Sequence, residues 1–260
     1  MMKKMAGFFL GLILVIRGFA APADTVDLVP SPVFGKEAMV ISLLLERNHY
    51  RKMKFNDSIS SHVLDDYFKE LDNSKIYFLA SDIQSFEKYR FSLDDLTRAE
   101  NVGPAYEIYK LFQTRYRTRL NDVVANLVNQ NFDYTIDEYY NTDRDKNEWA
   151  KSNKELDDVW RKIIKSQALS LKLTGKKQEE IAEVLKKRYE RLLKSYNQLN
   201  SEDVFSIYMN CITEVYDPHT SYLSPKASAL FKESMTLSLE GIGASLQTEN
   251  DYTKVAGIIP

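Results

Sequence analysis

The chain has 260 residues, 44% of them apolar and 28% charged, enough for a sizeable core and too apolar for a disordered chain. Its 35 basic and 37 acidic residues leave a net charge of −2, which argues against nucleic acid as a partner, since such binders carry a clear basic excess. Nine Gly and seven Pro are few for a turn-rich all-β chain, so a mainly α fold is expected.

The N-terminus reads as an export signal. Lys3 and Lys4 supply positive charge, Phe8 to Ile16 form an apolar run, and Arg17 ends it. Small residues follow, so Gly18-Phe19-Ala20 and Ala21-Pro22-Ala23 are cleavage candidates. The run falls well short of the ~20 residues that cross a bilayer. A retained anchor or a core helix is the alternative. Residues 1–23 are expected to be the signal peptide, directing the chain to the periplasm or outside and leaving no membrane span once removed. Residues 24–35, with Pro30, Pro32 and Gly35, read as a linker.

From Lys36 the pattern is helical. Val40, Leu43, Leu44 and Arg47 mark one face. Asp57 or Ser58 can cap a second helix, in which Ile59, Val63, Leu64, Tyr67, Phe68 and Leu71 recur at three- and four-residue spacing. Ile76 to Leu79 is too short to classify, and Ser81 is the expected cap of the helix carrying Ile83, Phe86 and Tyr89. Pro104 suits a first helical turn, followed by a stripe from Ile108 to Leu127. Residues 129–147 look like a loop that Tyr134, Ile136, Tyr139 and Tyr140 can anchor. A helix from about Asn153 to Leu173 turns Leu156, Val159, Trp160, Ile163 and Ile164 inward, and Gly175 ends it.

Lys177 to Leu199 forms the next helix, with Ile181, Val184, Leu185, Leu192 and Leu193 as its stripe. Its many Lys, Arg and Glu make a solvated face with pairs such as Glu183 and Lys187, a docking patch for an acidic partner being the other reading. Ser201 is read as capping a helix that buries Val204, Phe205, Tyr208, Met209 and Ile212, and Asp217-Pro218 closes it. After Pro225 the period changes. Leu237, Leu239, Ile242 and Leu246 alternate, and Asn250-Asp251 precedes Lys254 to Ile259, which reads as two strands around a turn. A boundary near residues 225 to 235 follows.

Few motifs carry chemistry. His49, His62 and His219 form no H-E-x-x-H zinc pattern, and no phosphate loop is present, so no metal or other cofactor is expected. Cys211 is the single cysteine, which excludes an intrachain disulfide; its apolar neighbours mark a buried thiol. Asp217, His219 and Ser221 supply the residue types of a hydrolase triad, but five adjacent residues do not bring three side chains together from different directions. A turn fixed by Asp and Pro explains the segment. Ser85 and Lys88 match a Ser-x-x-Lys pattern that is equally a helix surface. Gly241, Ile242, Gly243 and Ala244 form a glycine-framed entry to a strand. Such a loop is a tight turn or bulge, or a nest of backbone N–H groups that takes a carboxylate while a peptide adds as a strand beside it.

Several segments together resemble one family. They are Asp57 to Tyr67, Ile76 to Ile83, Ser170 to Lys176, Leu199 to Phe205 and, most specifically, Asp217-Pro218-His219-Thr220-Ser221-Tyr222-Leu223. The resemblance covers nearly the whole mature chain and is to the tail-specific proteases, C-terminal processing serine peptidases of family S41. It implies a periplasmic, ATP-independent endopeptidase with a Ser-Lys dyad and a PDZ domain that binds apolar protein C-termini, an adaptor protein being a further candidate partner. It places Gly241 to Ala244 on the substrate carboxylate and the catalytic dyad beyond residue 260. Residues 36–225 would be the helical N-terminal domain and 226–260 the first strands of an incomplete PDZ domain, inactive alone. The alternative is a stand-alone helical binding or scaffold module of the periplasm.

Overall fold

A computed structural model of the chain describes residues 28–236, 243–249 and 252–258. The expected signal peptide, Gly241, Ile242 and the Asn250-Asp251 turn lie outside the described residues. The architecture is mainly α, with one antiparallel strand pair at its C-terminal end.

Helix α1 (Pro32–Asn48) starts on a proline, which has no N–H to leave unpaired. It buries Gly35, Ala38, Ser42 and Leu45, while the expected Val40 and Leu44 are 42% and 52% exposed. The reason is closeness of packing: a Cβ on Gly35 would sit 1.8 Å from the Glu100 carbonyl oxygen. Only small residues fit that contact, so apolarity alone picks the wrong face.

Helix α2 (Asp57–Asp72) is capped by Asn56, whose side chain accepts the Ile59 N–H, rather than by Asp57 or Ser58. Its expected face is buried, with Leu71 half-buried. After α2 the chain turns at Asn73 and Ser74, with Lys75 at a φ of 51°, and continues without helix or strand to Leu79. Asp72, 3% exposed, accepts the N–H groups of Ile76, Tyr77 and Phe78 at 2.9, 2.8 and 2.9 Å. Helix α3 (Ala80–Phe86) then starts one residue before the expected Ser81 cap, and Asp82 accepts the Leu79 N–H at 2.9 Å.

Two large apolar clusters build the core, with a small third one of Leu79, Ala150 and Leu156 beside them. The first joins α1, α2, α4 (Leu93–Arg98), the first half of α5 (Gly103–Ala125) and α8 (Ser201–Tyr216) around Tyr67, Phe205, Met209 and Ile212. The second joins the end of α5, α6 (Asn153–Leu173) and α7 (Gln178–Tyr196) around Leu120, Trp160, Ile164 and Leu185. Tyr77 packs against both, its ring 4.9 Å from Tyr116 and 5.6 Å from Phe112 and Trp160. The Trp160 indole donates to the Ile76 carbonyl at 2.8 Å, and Ala80 N–H to Ala150 at 2.8 Å. The segment that sequence left unclassified is thus the strut between the clusters.

Helix α6 has the expected bounds; Ser152 caps it and Gly175, with φ of 89°, ends it in a conformation few other residues adopt. In α7, Ile181 and Leu185 are buried as expected, Leu192 is exposed, and Tyr189 takes the next inward position. The Glu183–Lys187 pair forms at 2.6 Å. Asn200, not Ser201, caps α8. A helix that the sequence reading did not place, α9 (Pro225–Met235), follows Ser224, whose hydroxyl accepts the Ala227 N–H. Strand β1 (Ala244–Glu249) then pairs with β2 (Tyr252–Ile258), with Leu246 opposite Val255 and an irregularity between Ser245 and Leu246.

Candidate functional site

The segment from Asp217 to Ser224, a hinge in the sequence reading, joins α8 to α9. Asp217 stops α8 in an extended conformation, with Pro218 next. One carboxylate oxygen accepts the His219 N–H at 2.8 Å, the Asp turn expected from sequence. The other accepts the Tyr50 hydroxyl at 2.5 Å. These two donors hold the Asp217 carboxyl below its usual range, Tyr50 contributing most, and the same bond raises the Tyr50 hydroxyl.

Tyr50 belongs to a clasp of three consecutive residues after α1. His49 Nε2 lies 3.2 Å from the Thr220 hydroxyl, and Arg51 donates to the Tyr216 carbonyl at 2.8 Å. Further along, the Tyr222 N–H donates to Asn210 at 2.7 Å. The Tyr222 ring meets Phe205 edge-on at 5.4 Å, and Phe205 stacks on Phe34 at 4.4 Å. The hinge is therefore tied at both ends to the helical core. Sequence reading missed His49 to Arg51 because the two segments are far apart in the chain and nothing local links them.

The hydrolase readings do not assemble. Asp217 spends its oxygens on Tyr50 and on backbone, so it does not orient His219 as a triad acid would. The Ser85 hydroxyl donates to the Asp82 carbonyl at 2.6 Å, and Lys88 bonds Glu107 at 3.0 Å. That bond raises the Lys88 ammonium, the opposite of what a lysine base needs. Cys211 is buried, and burial, aided by Glu70, Asp66 and Glu214, pushes its thiol far up, so it is no nucleophile. Among the described residues no group of His, Cys, Asp or Glu is arranged to hold a metal, and no helix is long and apolar enough to cross a membrane.

Of the four expected binding residues, Gly243 and Ala244 are described. Gly243 has φ of 65°, a left-handed turn that glycine adopts without strain, and Ala244 opens β1. Beyond it, Leu246, Val255 and Ile258 are 54%, 58% and 84% exposed. A pair of strands has an unpaired outer edge on each side, the feature to which an extended peptide can add.

Fold and site thus define a helical domain whose last core helix, α8, runs into a clasped segment, with α9 and a strand pair further along the chain. A family model described as the tail specific protease N-terminal domain matches residues 41–226, and the chain belongs to that family. It is also similar to the tail-specific protease of Haemophilus influenzae, with 34% identity over 217 residues. That alignment covers 83% of this chain and 31% of the relative, so the chain spans about a third of the relative's length.

Proposed function

We propose that this chain is the N-terminal part of a periplasmic tail-specific serine endopeptidase, and that the strand pair begins a PDZ domain receiving apolar protein C-termini. The observation that carries the reading is the exposed strand pair that follows the matched family domain along the chain. The left-handed Gly243 ahead of an open strand edge supports Gly241 to Ala244 as the carboxylate-binding entry. Protein substrates, and an adaptor protein if one serves, would meet this end of the molecule. In this reading hydrolysis belongs to a Ser-Lys dyad outside residues 1–260, and the 260-residue chain alone leaves protein substrates intact. The export signal expected at residues 1–23 supplies the periplasmic address.

The test is peptide binding followed by backbone NMR. A peptide ending in apolar residues with a free carboxylate should shift the Gly243 to Glu249 amides, and its C-terminal amide should not. Equal shifts from both peptides, or shifts confined to α2 through α7, would contradict the assignment.

A further inference from the structure

Away from the hinge, the loop of residues 133–142 and α6 together line an open-sided cavity of about 430 Å³, within the size range of small-molecule sites. Its walls include Tyr134, Tyr139 and Leu169, and Lys165 lies among them, only 8% exposed. The loop is pinned rather than loose. Glu138 takes a two-pronged contact from Arg161, at 3.1 and 2.6 Å, and also bonds Lys165.

Two polar groups at this cavity are incompletely used. The Lys165 ammonium has three N–H donors; it bonds Glu138 and, at 3.4 Å, the Ile136 carbonyl, which leaves one. The Tyr134 hydroxyl is buried and has no hydrogen-bond partner, a state that carries an uncompensated desolvation cost. The wall charges balance: Lys162 and Lys165 stand with Glu138 and Asp137, while Asp158 pairs with Arg161 and Lys162 just outside it. An anion is favoured by the donor left on Lys165 and by the unused Tyr134 hydroxyl, not by net charge.

We propose that this cavity binds a small carboxylate carrying an apolar or aromatic body. The carboxylate accepts from Lys165 and from the Tyr134 hydroxyl, and the body lies against Tyr139 and Leu169. This site is separate from the strand edge, so it stands or falls independently of the peptide-binding reading.

Calorimetry on the purified chain with 3-phenylpropanoate and its neutral analogue 3-phenylpropanamide tests this. The acid should bind, the amide at least about tenfold more weakly. Bound acid should shift amides within residues 134–142 and 162–169. Tyr134→Phe should weaken the acid about threefold to tenfold while leaving Tm unchanged or higher, since it removes an unsatisfied buried hydroxyl. Lys165→Met should abolish binding, and the Tyr134 variant keeps the test sound if the lysine change loosens the loop. Failure of the acid to bind, equal affinity for acid and amide, or an unchanged affinity in Tyr134→Phe overturns the proposal.

Discussion

Replacing Asp72 by alanine removes the acceptor for three backbone N–H groups at once. A buried donor left unpaired costs about 1–3 kcal/mol. Phe78 is buried and Ile76 and Tyr77 half-buried, so water reaches the last two in part and the lower end applies to each. The sum is roughly 3 kcal/mol, or about 6–12 °C in Tm for a domain of this size. Asp72→Asn keeps one acceptor oxygen, so its loss should be about half as large. Urea unfolding followed by far-UV circular dichroism measures the change, and hydrogen exchange at Ile76, Tyr77 and Phe78 locates it. The strut joins the two apolar clusters, so α6 and α7 should lose protection together with it. A loss below about 1 kcal/mol in Asp72→Ala would refute the view that this carboxylate holds the strut.

Other outcomes follow from the same contacts. Gly35→Ala drives a Cβ onto the Glu100 carbonyl and should cost about 1–3 kcal/mol by forcing α1 away from the turn that follows α4; an unchanged urea midpoint would contradict that contact. Arg161 first and Lys165 second hold the Glu138 carboxyl down to about 2 from 4.5. A depressed acid contributes stability above its unfolded value, so loop anchoring is complete above about pH 4.5 and is lost as pH falls toward 2. Carboxyl NMR should show this titration, and Arg161→Gln should move it upward. Arg51→Ala removes the bond to Tyr216 and should speed amide exchange at Thr220 and Tyr222 by roughly fivefold, with α6 unaffected.

Sequence was most legible where caps and apolar spacing agree. In α6, Ser152, the inward stripe and Gly175 all point to one helix. In α8, the buried residues and the Asp217 stop also agree, and only the cap moved by one residue, to Asn200. Apolar spacing picks the wrong face of α1 because the contact demands small side chains, a constraint imposed by the backbone of Glu100 just after α4 and invisible within α1 itself. The strut resisted classification because its order comes from Asp72, Trp160 and Ala150, none of which belongs to it. Helix α9 did carry a local signal, Ser224 before Pro225, which the change of period around it masked. At the candidate site the Asp-Pro hinge was readable, whereas the clasp from His49 to Arg51 arises only on folding.

The central proposal is that this chain carries the first strands of a substrate-binding domain but does not itself cut. The direct measurement incubates the purified chain with a folded test protein carrying an apolar C-terminal extension and follows the substrate's mass. The account predicts an intact substrate over many hours. Cleavage that disappears in Ser85→Ala or Ser221→Ala would contradict it, because it would place a working nucleophile within the helical domain or its hinge.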